Sequence, residues 1–263
     1  GRGVSGSHPQ CEIVTNAFTM TPSISSPSAD VIALDHIAFG VPSIAEISPV
    51  ICRRLGGRPH TSGPGIGFRG AQWELAGGGR VEAIEPEGSS DGFLHRFLDS
   101  RGPGVHHVTF KVRNIHHAAA AARAAGYDVV GFMDALASWK EMFLHPKQAQ
   151  GVVVQLAESH PELGDDGWTS AWPYPRAAIA ENERPTVIGL RLRARSADAA
   201  RKQWAELLGA RFREIGGLLV FDWADSPLRL SVEIDEAAEQ GPVAIEVAPP
   251  RTTLVDTTID MLG

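Results

Sequence analysis

Leu34-Asp35-His36-Ile37-Ala38-Phe39-Gly40-Val41 and Val105-His106-His107-Val108-Thr109-Phe110-Lys111-Val112 are two versions of one design, a strand-like run carrying a histidine. In the first, His36, Ala38 and Gly40 alternate with Ile37, Phe39 and Val41, so one face of the strand is apolar and the other bears the histidine. Each run is followed at similar distance by a second strand with one carboxylate or amide. Glu82 follows His36 by 46 positions, and Gln155 follows His107 by 48. Two histidines, a glutamate and a glutamine at equivalent places of a repeat suggest one metal ion held between two copies of a small unit.

Working outward, the first unit continues with a helix that starts at Pro42 or Ser43 and runs to Leu55, where Gly56-Gly57 ends it. Ile66–Arg69 and Ala71–Leu75 are expected to be extended, and Gly77-Gly78-Gly79 turns the chain into Val81–Glu85. The second unit repeats this order. Val105–Val112 leads to Asn114 as N-cap, a helix over His116–Ala125 and a stop at Gly126. Strands are expected at Asp128–Phe132, Glu141–His145 and Val152–Ala157. The histidines are 71 positions apart and the later pair 73, which points to duplication within one domain.

A third, weaker unit has a strand at Val187–Ala194, a helix at Asp198–Leu208, then strands at Leu218–Trp223 and Leu228–Ile234. Matched to the first unit, it has Gly189, Ser231 and Ala244 in place of His36, Glu82 and His107. It has lost every candidate ligand, and only Val243–Val247 is left of a fourth copy. The organisation expected is a flexible leader over residues 1–30, a metal-binding paired βαβββ domain over 31–159, a linker over 160–185 and a degenerate βαβββ domain over 186–263. Trp168, Trp172 and Tyr174 make the linker expensive to leave in water, so it is expected to pack against something.

Bulk composition narrows the classes. The net charge of −7, with both signs interspersed, argues against nucleic acid or an anionic membrane surface as partner. No apolar run is long enough to span a bilayer. The only two cysteines, Cys11 and Cys52, fall in an irregular leader and in a helix, so no disulfide is expected and a cytoplasmic location fits.

The order and content of these pieces resemble the vicinal oxygen chelate superfamily (glyoxalase, bleomycin resistance protein, dioxygenase), and within it the methylmalonyl-CoA epimerases. The resemblance rests on Leu34–Ala38, Glu82–Pro86, Phe93–Leu98, Arg101–Val108, Phe143–Lys147 and Gly151–Leu156, in family order over about half the chain. It implies an α+β fold whose paired modules form a cup-shaped mixed sheet around one divalent metal, with ligands at His36, Glu82, His107 and Gln155. His107 is preferred to His106 because it aligns with His36 and because neighbouring strand residues face opposite sides. Such donors suit cobalt, manganese, nickel, zinc or iron.

Two departures stand out. The family usually has glutamate where Gln155 lies and often glutamine where Glu82 lies, so carboxylate and amide are exchanged. The catalytic glutamate that the epimerases carry in the stretch matching His60–Gly65 is absent, leaving Glu82, Glu74 and Glu141 as the carboxylates for proton transfer. His106, His145 and Lys147 are candidate substrate contacts, against plainer readings as sheet-surface, strand-end and solvated groups. The leading expectation is a metal-dependent isomerase- or lyase-type enzyme working on a carbonyl, carboxylate or thioester compound through an enolate. Its rivals are a small-molecule sequestration protein, with the tryptophan-rich linker as stacking lid, and a dioxygenase. Relatives often pair through sheet edges, which makes a homodimer compatible with the resemblance.

Overall fold

The computed structural model describes residues 28–164, 167–178, 180 and 183–248, and the backbone of 253–256. Residues 1–27 of the leader, Cys11 included, lie outside the described residues. The first unit runs β1 (Val31–Gly40), α1 (Ile44–Leu55), β2 (Arg58–Gly65), β3 (Phe68–Glu74) and β4 (Arg80–Pro86). After α2 (Phe93–Arg101), the second runs β5 (Gly104–Val112), α3 (Ile115–Ala124), β6 (Val129–Met133), β7 (Trp139–Leu144) and β8 (Val153–Ser159). These eight strands form one mixed sheet in the order β2-β3-β4-β1-β5-β8-β7-β6. Within each module the first strand runs parallel to the last, and the modules meet where β1 pairs antiparallel with β5.

The modules also share a way of starting their helices. Ser43 and Asn114 cap α1 and α3 by accepting from Glu46 N and His117 N. A carboxylate from each module's last strand then takes the next amide: Glu85 accepts from Ile44 N at 2.7 Å, Glu158 from Ile115 N at 2.8 Å. Negative charge at a helix N-terminus is favourable, and the two bonds tie each helix to its sheet. Apolar residues at helical spacing, Ile44, Ile47, Ile51 and Leu55, bury one face of α1, which ends on Gly56 at a left-handed φ of 67°.

A second sheet holds β9 (Val187–Ala194), β10 (Arg211–Ile215), β11 (Leu218–Asp222), β12 (Arg229–Ile234), β13 (Gly241–Val247) and β14 (Thr253–Asp256), ordered β10-β11-β12-β9-β13-β14. Its helix begins as α4 (Ala197–Ala200) and continues to Leu207 as a wider π-helical stretch. The apolar sides of both sheets share one core. Phe110 of β5 stacks at 4.7 Å on Trp223 and at 6.1 Å on Trp204, and Ser226 Oγ donates to Leu34 O at 2.9 Å. The first sheet's other face carries the polar groups.

Register supports the proposed matching of the third unit. Arg80 pairs with His36 and Arg229 with Gly189, while His107 pairs with Ala38 and Ala244 with Arg191. The position of Thr109 is taken by Glu246, a buried carboxylate that accepts from Arg191, Arg229 and Ser231. An ion-pair cluster thus fills the place that candidate ligands occupy in the first sheet.

Three elements correct the sequence reading. Ile66-Gly67 is a turn, and the strand before it is Arg58–Gly65, a stretch whose Pro59, Gly63, Pro64 and Gly65 hide it. Such residues are tolerated because β2 is an edge strand. Helix α2 buries only Leu94, so it leaves almost no periodic signal. Strand β10 is exposed along its whole length, on the edge of the second sheet.

Glu158 is buried, and although burial raises its pKa, its bonds from Lys140, the Ile115 amide and His160 hold it down at about 2. A depressed carboxylate contributes stability at neutral pH and loses that contribution as pH falls below the ordinary glutamate range toward 2. Glu158→Gln is expected to cost about 1–3 kcal/mol at pH 7. In chemical denaturation the gap from wild type narrows between pH 5 and 2; a gap independent of pH contradicts the assignment.

Candidate metal centre

Two bulges at the β1–β5 seam build the site. On β1, Leu34 pairs with Phe110 and His36 with Thr109, leaving Asp35 as an extra residue; on β5, His107 pairs with Ala38 and Val105 with Phe39, leaving His106 extra. A bulge re-aims side chains that strict alternation would separate. Asp35 Oδ2 consequently lies 2.8 Å from His36 Nδ1, and His106 Nδ1 lies 2.9 Å from His107 Nδ1. The expectation that His106 and His107 face opposite sides is corrected by this bulge.

The three donors meet on the polar face. Ligand atoms of His36, Glu82 and His107 all lie within 4.8 Å of one another, and the three side chains are buried. The two rings stand edge to face with centroids 5.8 Å apart. Glu82 Oε2 is 2.8 Å from His36 Nε2 and accepts from Gln72 Nε2 at 3.1 Å. Thr109 Oγ1, 2.9 Å from His36 Nε2, donates to Gln155 Oε1 at 2.5 Å. Gln155 Nε2 in turn donates to Glu141 Oε2 at 2.6 Å, and Trp139 Nε1 donates to the same oxygen at 2.8 Å.

Gln155 therefore reaches the cluster through one hydroxyl, and Glu141 stands behind it. Glu74 does not join them: it is exposed near the β3–β4 turn, 3.3 Å from His60 Nδ1. His145 and Lys147 are exposed in the turn after β7, where His145 Nδ1 accepts from Lys147 N at 3.2 Å. Sequence reasoning missed Asp35 and Thr109. Thr109 was within reach of it, since a residue two positions after His107 shares its face; Asp35 needed the bulge.

Burial alone would depress every imidazole here. For His36 that pull is outweighed by Glu82 and Asp35, which raise its pKa to about 9. Asp35 is held well below the usual carboxylate range: burial opposes this, and His36, Lys111 and Arg80 prevail. His106 is pushed down to about 4 by burial, and His107 well below the normal value by burial and then by His106 and His36. One candidate ligand thus holds a proton between carboxylates while the other is a neutral nitrogen donor.

These residues fit a divalent ion. Two imidazoles and a carboxylate form a mixed nitrogen and oxygen set for a metal of intermediate softness. Asp35 on His36 Nδ1 would serve as the carboxylate partner that orients the ring and raises its basicity were His36 to ligate an ion.

Residues 35–143 match the model of the Glyoxalase/Bleomycin resistance protein/Dioxygenase superfamily. The first sheet is a vicinal oxygen chelate domain. Methylmalonyl-CoA epimerase from Mycobacterium tuberculosis is similar at 23% identity over 55% of this chain and 96% of its own, with a TM-score of 0.47. A Streptomyces coelicolor methylmalonyl-CoA epimerase variant in complex with 2-nitronate-propionyl-CoA is similar at 24% identity over 49% of this chain and 98% of its own, TM-score 0.44. A hypothetical protein from Bacillus halodurans C-125 is similar at 24% over 50% and 97%, TM-score 0.45. No curated protein matches the chain. Among the described residues, no helix is long and apolar enough to cross a membrane.

In the metal-free protein, a histidine NMR titration should place His36 near pH 9 and His106 near pH 4. A raised imidazole stabilises the fold below its ordinary pKa and loses that effect as pH rises through 9. Asp35→Asn should move the His36 titration downward, and a His36 that titrates below neutrality contradicts this electrostatic arrangement.

Proposed function

We propose that the vicinal oxygen chelate domain is a metal-dependent enzyme of the isomerase or lyase type, acting on a carbonyl, carboxylate or acyl-thioester compound by taking a proton from the carbon beside the carbonyl. The observation that carries the reading is a buried His36–Glu82–His107 cluster linked through Thr109 and Gln155 to Glu141, a further carboxylate on the same polar network. His36, Glu82 and His107 would hold the ion, with Gln155 as the reserve oxygen donor. The bound ion supplies Lewis acidity to the substrate's oxygen atoms.

The chain's own groups do the rest. Glu141 is oriented by Gln155 and Trp139, which leaves its second oxygen to take up a proton. Asp35 holds the His36 ring in place, and His36 and Glu82 would have to give up the proton between them to hold an ion. With Glu74 outside the cluster, no acid in His60–Gly65 and Glu82 assigned to the ion, Glu141 is the base left to this network among the described residues, where two-sided racemisation uses two. This favours proton transfer on a single face over epimerisation.

A second reading draws on the same donors. Two histidines with one carboxylate are the ligand set of non-haem iron oxygenases. Substrate-dependent oxygen uptake by the Fe(II)-loaded protein discriminates it.

His36→Ala and His107→Ala are each expected to abolish stoichiometric binding of Co²⁺ or Mn²⁺ in equilibrium dialysis. Glu141→Gln should retain the ion but slow solvent-deuterium incorporation into acyl-thioester candidates by about 10²-fold or more, with Glu74→Gln near wild type. Exchange that survives in Glu141→Gln removes Glu141 as the base; absence of exchange with every candidate removes the isomerase reading.

A further inference from the structure

Beyond the superfamily match, residues 167–172 run along the outer edge of β2. Ser62 N donates to Thr169 O at 2.9 Å, Thr169 N to Ser62 O at 3.0 Å, and Ser62 Oγ to Ala171 O at 2.8 Å. The same strap is fastened further on, where Trp172 stands edge-on to Trp73 at 4.9 Å and Ser48 Oγ donates to Pro175 O at 2.6 Å. So many anchors make it a fixed wall of the first sheet; they also cover an edge that would otherwise expose unpaired amides.

From this strap Trp168 projects onto the face that carries the donors. Gly63 and Gly70 are paired directly across β2 and β3, and neither has a side chain to occupy the space the indole uses. A Cβ on Gly70 would lie 2.3 Å from Trp168 Cη2 and 3.1 Å from Glu82 Oε1, and one on Gly63 would lie 2.7 Å from Trp168 Cγ. The indole and the Glu82 carboxylate therefore border the same point. Glu82 Oε2 is engaged by His36, while Oε1 lies on the indole's side. Aromatic rings continue from there: Phe68 covers Gly65, Phe93 lies 6.1 Å from Phe68, and Phe93 and Phe97 lie 5.5 and 4.8 Å from His106.

We infer that Trp168 is a specificity-determining residue, a flat wall on which the planar apolar part of a ligand stacks while the ligand's oxygens reach the His36–Glu82–His107 cluster. The site accordingly prefers aryl-substituted 2-oxo or 2-hydroxy carboxylates to small aliphatic ones. This rests on the proposal that the cluster binds a divalent ion. A ring against an indole gains stacking energy that a methyl group does not.

The test is calorimetric titration of benzoylformate and of pyruvate into the Co²⁺-loaded full chain. Trp168→Ala is expected to weaken benzoylformate by about tenfold and pyruvate by no more than about twofold, with Trp168→Phe close to wild type. Gly70→Ala, whose methyl group meets the indole, reads the same contact without removing the tryptophan and should reproduce the selective loss. Benzoylformate binding that is unchanged in both variants, with Co²⁺ uptake intact, overturns the inference and leaves the metal reading standing. Failure of the wild-type chain to take up Co²⁺ overturns the metal reading, and the inference with it.

Discussion

The extra residues at the β1–β5 seam are the constraint on which the site depends. Without them Asp35 and His36 would face opposite sides of the sheet, as would His106 and His107. With them, each candidate ligand gains an adjacent partner, a carboxylate in one module and an imidazole in the other. The second sheet keeps the same backbone irregularities: Ile188 is extra between Val187 and Gly189, and Val243 between Pro242 and Ala244. There the bulges carry no donors, so they are part of how a module's first strand joins the next module. In the first sheet the corresponding extra residues are Asp35 and His106, each beside a candidate ligand.

This difference in partners produces a difference in charge across a very short distance. His36 is a proton-bearing ring between two carboxylates; His107 is a neutral ring beside a neutral ring. The arrangement keeps a buried Glu82 compensated in the metal-free state, since a buried carboxylate without a partner is costly. A dication held by these residues would take the place of the His36 proton beside Glu82 and Asp35. Glu82 is the group that touches His36, whereas Gln155 bridges Thr109 to Glu141.

Much of this architecture was readable from residue order. The repeat of histidine strands, the cap at Asn114, the stop at Gly56 and the emptied third copy all follow from local chemistry and spacing. What escaped has physical causes. Strand β2 is built from residues that normally break strands and persists because neighbours on one side and residues 167–172 on the other hold it. The facing of His106 depends on register, which is a relation between two strands and is invisible in either alone. Trp168 could be read as needing a packing partner, but that partner is a space left by paired glycines in β2 and β3, which only the folded sheet reveals.

The claim that the first sheet holds one divalent ion is tested most directly by anomalous diffraction from crystals of the full chain grown with Co²⁺. A single peak about 2.0–2.3 Å from ring nitrogens of His36 and His107 and a carboxylate oxygen of Glu82 is the expected result. A peak elsewhere on the chain, or none at these three side chains, contradicts it.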